Sequence, residues 1–407
     1  MQLYFDRIKM REFPLFFILT ADHNNSLHTF SNISFYTLIK SKNPMFQTGY
    51  ILNRRSDLIW FLTLPFWAIA FALTCQQWLP VVAIAAVGFW VTIPHQFVTW
   101  LRAYGMQEDW NRWKTRFIVG PLIIFTVAYI GIRWAPLSLL LIATFWGYQH
   151  ALMQQHGLAR IYDFKAKTGG PNTPRWDLAL NWFLFSNLIL TAPLFSQYII
   201  RELFRFGFPV SAEGYQFFRV CCWGITGTFL IAYTIHVIIS LSKGYTLNPI
   251  KYLFLFASYF LWYFIAWHTN AILVQSIAHA LMHGIQYIVI VYFYIERKES
   301  HKEKPDKFVS KLVRPGSLWL FLLICFLYAL IYQMLTAQPL DTFTFGFINF
   351  PHFYQTPIPE HGLYSMSKSA GYDLFAVMLI QATALIHYYF DSFIWRVRDV
   401  KIQEGLS

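Results

Sequence analysis

Long apolar stretches separated by short polar segments recur along most of this chain. As a helix, each stretch is long enough to cross the ~30 Å hydrocarbon core of a bilayer. Because lipid offers the backbone no hydrogen-bond partners, such segments are expected to be helical, and we predict an all-α bundle. The predicted spans are 56–74, 78–101, 117–134, 136–158, 178–200, 217–242, 249–268, 271–295, 316–334 and 373–395.

The composition agrees with a polytopic membrane protein. Hydrophobic residues make up 56% of the 407 residues, and only 13% are charged, whereas a soluble domain carries about 25%. The net charge of +12 would suggest nucleic acid in a soluble protein. Here Lys and Arg flank the apolar spans, where the positive-inside rule explains them. We therefore expect membrane lipid, and no nucleic acid, as a partner.

The charged segments also predict an orientation. The basic segments 54–55, 102–116, 160–175, 297–314 and 396–401 all fall on one side if both termini are cytoplasmic. The segments between them are poor in Lys and Arg, apart from the one that follows the fifth span. We predict about ten spans in a bacterial inner membrane. In this scheme 1–50 is a polar interfacial arm, 51–400 is one transmembrane domain and 401–407 is a short tail.

Histidine is the residue type that points to chemistry. Eight of the thirteen histidines fall in or beside predicted spans, where an imidazole is costly unless it faces a polar interior or a metal. Six of them share a depth near the cytoplasmic end of even-numbered spans, which predicts one metal site. His268 falls on the opposite side and is excluded. The six candidate metal ligands are His95, His150, His156, His279, His283 and His387.

The spacing within each helix adds detail. His279 and His283, in HALMH, are separated by about 40° around a helix axis, so both can face one metal. Asp391 follows His387 by one turn in HYYFD, either as a ligand or as a partner that orients the histidine. His150 and His156 in QHALMQQH are about 120° apart on an ideal helix. Either that helix distorts, or the two histidines serve different metals, or only one ligates.

Gln286 lies on the face of the HALMH pair, and we predict that it holds or orients the ligands together with Asp391. The four cysteines have no metal-finger spacing and predict neither a thiolate site nor a disulfide framework. Imidazole with carboxylate suits Fe, Zn, Cu or Ni.

HALMH, QHALMQQH and HYYFD resemble the histidine boxes of the membrane-bound non-haem iron oxygenases, which include fatty-acid desaturases, lipid hydroxylases and alkane monooxygenases. The chain also resembles the integral-membrane carotene-cleaving dioxygenases. The resemblance implies O₂-dependent oxidation of a hydrophobic lipid or isoprenoid substrate, with electrons from a cytosolic reductase. It implies one iron held by four histidines, or two irons with Asp391 and glutamines completing the ligands. This chain has no HH pair, which departs from the usual HxxHH boxes.

Other classes of function use intramembrane histidines differently. Haem needs two histidines on facing helices, a transporter uses them as a proton or metal path, and an acyltransferase uses one with Asn or Asp. A zinc hydrolase of the HExxH type would need Glu where Ala280 stands. The shared depth of six histidines favours the metal-dependent oxidoreductase. Aromatic residues beside the histidines are candidates to line a substrate pocket, namely Trp90, Trp146, Tyr287, Tyr388 and Tyr389.

Overall fold

The computed structural model describes residues 44–269, 271–303, 305–336 and 371–406. Predictions for 1–43, which include most of the polar arm, and for 337–370 lie outside these residues. Over the described ranges the chain is helical without β-strands, as the apolar pattern predicts. The helices are α1 Arg54–Trp78, α2 Val81–Gly105, α3 Gln107–Trp134, α4 Pro136–Ala166, α5 Thr173–Thr191, α6 Pro193–Arg205, α7 Ala212–Ser242, α8 Pro249–His268, α9 Ile272–Ser300, α10 Lys307–Leu312, α11 Leu318–Thr336, α12 Gly371–Ile394 and α13 Val400–Leu406.

Every predicted span falls on one of these helices or, for the fifth, on the pair α5 and α6. Seven helices of the described chain have the length and apolar composition to cross a membrane, namely α1, α3, α7, α8, α9, α11 and α12. The number becomes eight if α5 and α6 count as one broken span. The chain therefore has the helices of a multi-pass membrane protein, whereas ten spans and cytoplasmic termini remain predictions.

The fifth predicted span is bent in the structure. The chain turns by 63° between α5 and α6. Ala192 is extended there, with φ −71° and ψ 135°, because the ring of Pro193 disfavours the helical region for the residue before it. Pro193 also has no N–H to continue the hydrogen-bond ladder. The predicted span 178–200 is therefore divided between two helices at Pro193.

Helices α2, α4, α9 and α12, which carry the candidate ligands, lie together in the bundle. α9 packs against α1 and α2, and α12 packs against α2, α3 and α4. Gly284 allows the close approach of α9 to α2, since a Cβ at this position would lie 2.8 Å from Val91 Cγ1. His95 and His283 flank this crossing, so the glycine brings their two backbones into range of each other.

Arg102 joins the ends of four helices beside the histidines. Its buried guanidinium donates from Nε to Asp109 Oδ2 at 2.9 Å and from Nη2 to the Ile394 carbonyl at 2.7 Å. The same group lies over the rings of Tyr294 and Trp395, at 4.3 and 4.0 Å from their centroids. A cation at the C-terminus of α12 interacts favourably with the helix dipole. Arg102 thus fixes the end of α12 that carries Asp391.

A second buried group of charges joins α4, α5 and α8; it consists of Arg160, Asp163, Asp177 and Lys251, and we call it the ion cluster. Lys251 Nζ lies 3.0 Å from both Asp163 Oδ2 and Asp177 Oδ2. Arg160 Nη1 lies 2.5 Å from Asp163 Oδ2, and the Tyr233 hydroxyl donates to Asp177 Oδ1 at 2.7 Å. Two cations therefore balance two carboxylates inside the bundle. The predicted span 136–158 ends before Arg160, but α4 continues past it to Ala166.

Residues 401–406 of the predicted short tail belong to α13, which packs on α9. Lys298 Nζ contacts Glu404 Oε2 at 2.9 Å, and Arg297 Nη1 donates to the Leu406 carbonyl at 3.0 Å. Ile402 and Leu406 are buried, so both apolar packing and these polar contacts hold α13 against α9.

Candidate metal centre

Four histidines from four helices converge inside the bundle. They are His95 on α2, His150 on α4, His283 on α9 and His387 on α12, and all four are buried. The ring centroid of His95 lies 4.5 Å from that of His387 and 4.8 Å from that of His283. His150 lies 4.7 Å from His387 and 5.1 Å from His283, again between ring centroids. We call these four residues the histidine cluster.

The ring nitrogens of the histidine cluster are spaced as ligands of one ion. His95 Nε2 and His387 Nε2 are 2.9 Å apart, and the nearest nitrogens of His95, His150 and His283 all lie within 4.8 Å of one another. Two ligand atoms that each lie about 2.1 Å from one ion are separated by about 3 to 4 Å. The spacings within the histidine cluster are therefore close to those of metal ligands.

Several ring nitrogens of the histidine cluster lack hydrogen-bond partners, as expected for metal ligands. Within the described residues, His95 Nδ1, His150 Nε2 and His283 Nδ1 are buried and have no hydrogen-bond partner. Buried polar atoms are almost always paired in folded proteins, and exceptions mark redox sites, catalytic sites or missing ions. Three such nitrogens within the histidine cluster are compatible with a bound cation.

Asp391 is the carboxylate of this site. Its Oδ2 lies 3.8 Å from both His150 Nδ1 and His387 Nε2, and one oxygen of Asp391 joins nitrogens of these two histidines in a second group within 4.8 Å. The other oxygen, Oδ1, accepts from the Tyr287 hydroxyl at 2.5 Å. One oxygen is therefore held by the protein while the other faces the histidine cluster.

A chain of hydrogen bonds sets the tautomer of His387. With Asp391 ionised, the Tyr287 hydroxyl donates to its Oδ1 and accepts from Trp395 Nε1 at 3.2 Å. Thr99 Oγ1 then donates either to the Tyr287 oxygen, 2.7 Å away, or to Asp391 Oδ1, 3.4 Å away. In both cases Thr99 has only lone pairs left for His387 Nδ1, which lies 2.8 Å from Oγ1. This arrangement favours the proton on His387 Nδ1 and leaves Nε2 with the lone pair that a metal requires.

Sequence reasoning expected Asp391 either as a ligand or as the direct partner of the His387 N–H. In the structure Asp391 is connected to His387 Nδ1 through Thr99 and Tyr287, while its Oδ2 lies 3.8 Å from His387 Nε2. The sequence did not single out Thr99, and it placed Tyr287 only among aromatic pocket residues. A signal was present, however, since Thr99, Tyr287 and Asp391 each follow a cluster histidine by one helical turn.

His279 lies beside the histidine cluster, with its ring 5.0 Å from that of His283. Its Nδ1 accepts from the indole Nε1 of Trp262 on α8 at 3.0 Å. His279 contributes to neither of the two groups of potential ligand atoms found in the described chain.

His156 and Gln286 face other surroundings. His156 interacts electrostatically with Asp177, Arg160 and Lys251 of the ion cluster, and α4 is one continuous helix. The helix is therefore not distorted at the QHALMQQH segment, and His150, but not His156, lies in the histidine cluster. Gln286 accepts from Gln155 Nε2 at 3.1 Å and donates to the carbonyl of Phe61, in a π-helical turn of α1, at 3.4 Å.

The other histidines named above occupy separate places. His268, at the end of α8, contacts its own helix through Nδ1 and the Phe264 carbonyl. His236 on α7 stacks on Trp176 with 4.7 Å between ring centroids. Of the predicted aromatic residues, Tyr388 stacks on His150 with 4.8 Å between centroids, whereas Trp90 stacks on Phe326.

The relay through Thr99 can be tested by Thr99→Val, which keeps the shape of the side chain. We expect metal affinity to fall ~10–100-fold, the usual effect of losing an outer hydrogen-bond partner, because His387 Nδ1–H loses its acceptor. Competition with a chromophoric chelator measures the affinity. Thr126→Val is the matched control, since that hydroxyl bonds only the Leu122 carbonyl of its own helix. Equal affinities for the two variants would contradict the relay.

The chain was compared with protein-family models, with curated proteins and with solved structures. None of the three comparisons finds a match.

Proposed function

We propose that this protein is an integral-membrane oxidoreductase that binds iron in the histidine cluster and uses O₂ to oxidise a hydrophobic lipid or isoprenoid substrate. The observation that carries the proposal is the convergence of four buried imidazoles and one carboxylate from four helices. Iron fits this donor set, and the two groups of three ligand residues share His150, so we propose one ion, or two neighbouring ions, per chain. Bound there, iron supplies the electron exchange with O₂ that no side chain of the cluster can supply.

The protein's own residues have three roles in this proposal. His95, His150, His283 and His387 hold the ion, and Asp391 either joins them or balances its charge. Thr99 and Tyr287 keep His387 in its ligating tautomer. The apolar helices around the site exclude water and admit a substrate from lipid, and a cytosolic reductase is the proposed electron donor.

Haem is disfavoured by the contacts within the histidine cluster. A bis-histidine haem separates its two axial ligands by the porphyrin plane. Here His95 and His387 approach to 2.9 Å between ring nitrogens, while His283 lies against His95 and His150 lies against His387. The packed rings leave no porphyrin-sized gap between any facing pair.

Purified protein analysed by elemental mass spectrometry and visible absorption tests the proposal. We expect about one or two irons per chain and no Soret band, and we expect the reduced, iron-loaded protein to consume O₂ in the presence of membrane lipid. A Soret band would establish haem instead. Absence of stoichiometric metal would contradict the proposal and would favour a transporter or an acyltransferase.

We further propose ten spans with both termini cytoplasmic, in an inner membrane, so that the histidine cluster lies in the cytoplasmic leaflet. The basic segment that follows α9 supports this orientation. In a cysteine-free background, Ser300→Cys should react with a membrane-impermeant maleimide only from the cytoplasmic side, and Ala212→Cys only from the other. Both positions are exposed. Labelling of both from one side would contradict the orientation.

A further inference from the structure

The ring of His279 carries an Nε2–H group that has no role in the proposed metal site. Its Nδ1 accepts from Trp262 Nε1 at 3.0 Å. An indole N–H is a donor only, so the direction of this hydrogen bond is unambiguous. It excludes a proton on Nδ1, and therefore excludes both the Nδ1–H tautomer and the imidazolium. The neutral ring must carry its proton on Nε2.

This tautomer is the opposite of the one a ligand needs. A metal-binding imidazole presents a lone pair to the ion and donates its other N–H to a partner, as His387 does toward Thr99. In His279, the nitrogen with the lone pair is occupied by Trp262, and the remaining nitrogen is an N–H. His279 therefore cannot ligate while Trp262 holds it, although HALMH suggests a pair of ligands.

His279 lies beside the histidine cluster. Its ring stacks at 17° on that of His283, with 5.0 Å between centroids. Unlike the four cluster histidines, it is only half-buried. Its Nε2 edge is turned away from Trp262, which holds the opposite edge of the ring.

We infer that His279 is not a ligand but a hydrogen-bond donor, whose Nε2–H binds a small anionic or oxygen-terminated ligand beside the metal. This inference rests on the proposed metal centre and deepens it by assigning a subsite for the exogenous ligand. Trp262 is then a positioning residue, which acts by fixing the tautomer of His279. The four-residue spacing of HALMH suggests two metal ligands. In this arrangement it provides one ligand, His283, and one hydrogen-bond donor, His279, one helical turn away.

Cobalt(II) and azide are suitable probes. Cobalt(II) reports its coordination by visible absorption, and azide is a small anion that can bind at an open position and accept from Nε2–H. In His279→Phe/Trp262→Phe both partners of the internal hydrogen bond are removed together, so no buried donor is left unpaired. We expect this double variant to bind cobalt(II) at the wild-type stoichiometry and azide at least ~10-fold more weakly, as loss of a hydrogen bond to a charged group predicts.

His279→Gln is the conservative variant. Its amide can accept from Trp262 through Oε1 and donate through Nε2, so azide affinity should stay within about 3-fold of the wild type, less than the loss of a hydrogen bond to a charged group. His268→Phe, at the far end of α8, should leave both quantities unchanged. His283→Ala supplies the reference for a lost ligand.

Two results would overturn the inference. If the folded double variant loses cobalt(II) as His283→Ala does, His279 is a ligand. If the double variant keeps cobalt(II) and binds azide like the wild type, His279 donates nothing to the exogenous ligand. Failure of the wild-type protein to bind iron or cobalt(II) would instead refute the metal centre itself, so the two failures are distinguishable.

Discussion

His283→Ala should abolish stoichiometric iron binding, with affinity lowered more than ~100-fold, since losing an outer partner alone costs 10–100-fold. The ring of His283 lies between His95 and His150, with 4.8 and 5.1 Å between centroids, so its removal opens one side of the histidine cluster. O₂ consumption should disappear with the metal. The truncation breaks no hydrogen bond at Nδ1, which has no partner among the described residues, so the variant should fold.

His236→Ala is the matched control for this experiment. Like His283, His236 lies on an apolar helix, and its buried Nε2 has no hydrogen-bond partner among the described residues. Its ring stacks on Trp176, outside the histidine cluster. Metal content is measured per folded chain by elemental mass spectrometry. Full iron content in His283→Ala, or equal loss in both variants, would contradict the proposed metal centre.

Lys251→Met should lower the free energy of unfolding by about 3–5 kcal/mol, as removal of one partner from a buried ion pair does. The Lys251 side chain is fully buried, and Nζ contacts both Asp163 and Asp177 at 3.0 Å. Met has a similar length but no charge, so two buried carboxylates would share Arg160 alone. Chemical denaturation in detergent, followed by tryptophan fluorescence, measures the change.

Arg201→Met removes an exposed partner instead. Arg201 and Glu202 form a surface pair at 3.0 Å with both side chains largely in solvent, and such pairs contribute about 0–1 kcal/mol. Adding Asp177→Asn to Lys251→Met should recover part of the lost stability, since it removes one unbalanced charge. A loss below 1 kcal/mol for Lys251→Met would show that Arg160 alone compensates both carboxylates.

Much of this protein could be predicted from local patterns. The apolar stretches specify the helices because a span must satisfy its own backbone hydrogen bonds. Helical periodicity also places side chains four residues apart on one face, which is why Asp391 lies with His387 and Tyr287 with His283. The break before Pro193 follows from the same local rules, but was missed because its two helices together resemble one apolar span.

The sequence by itself determined the helices, their apolar composition and the angle of each side chain around its own helix axis. Only the tertiary structure decided how each helix is rotated against its neighbours, because that depends on packing between residues of different helices. This rotation turned His156 toward the ion cluster, paired His279 with Trp262 and joined Thr99 of α2 to His387 of α12. Helical periodicity predicts which residues share a face of a helix, but only the packing of helices determines which residues that face contacts.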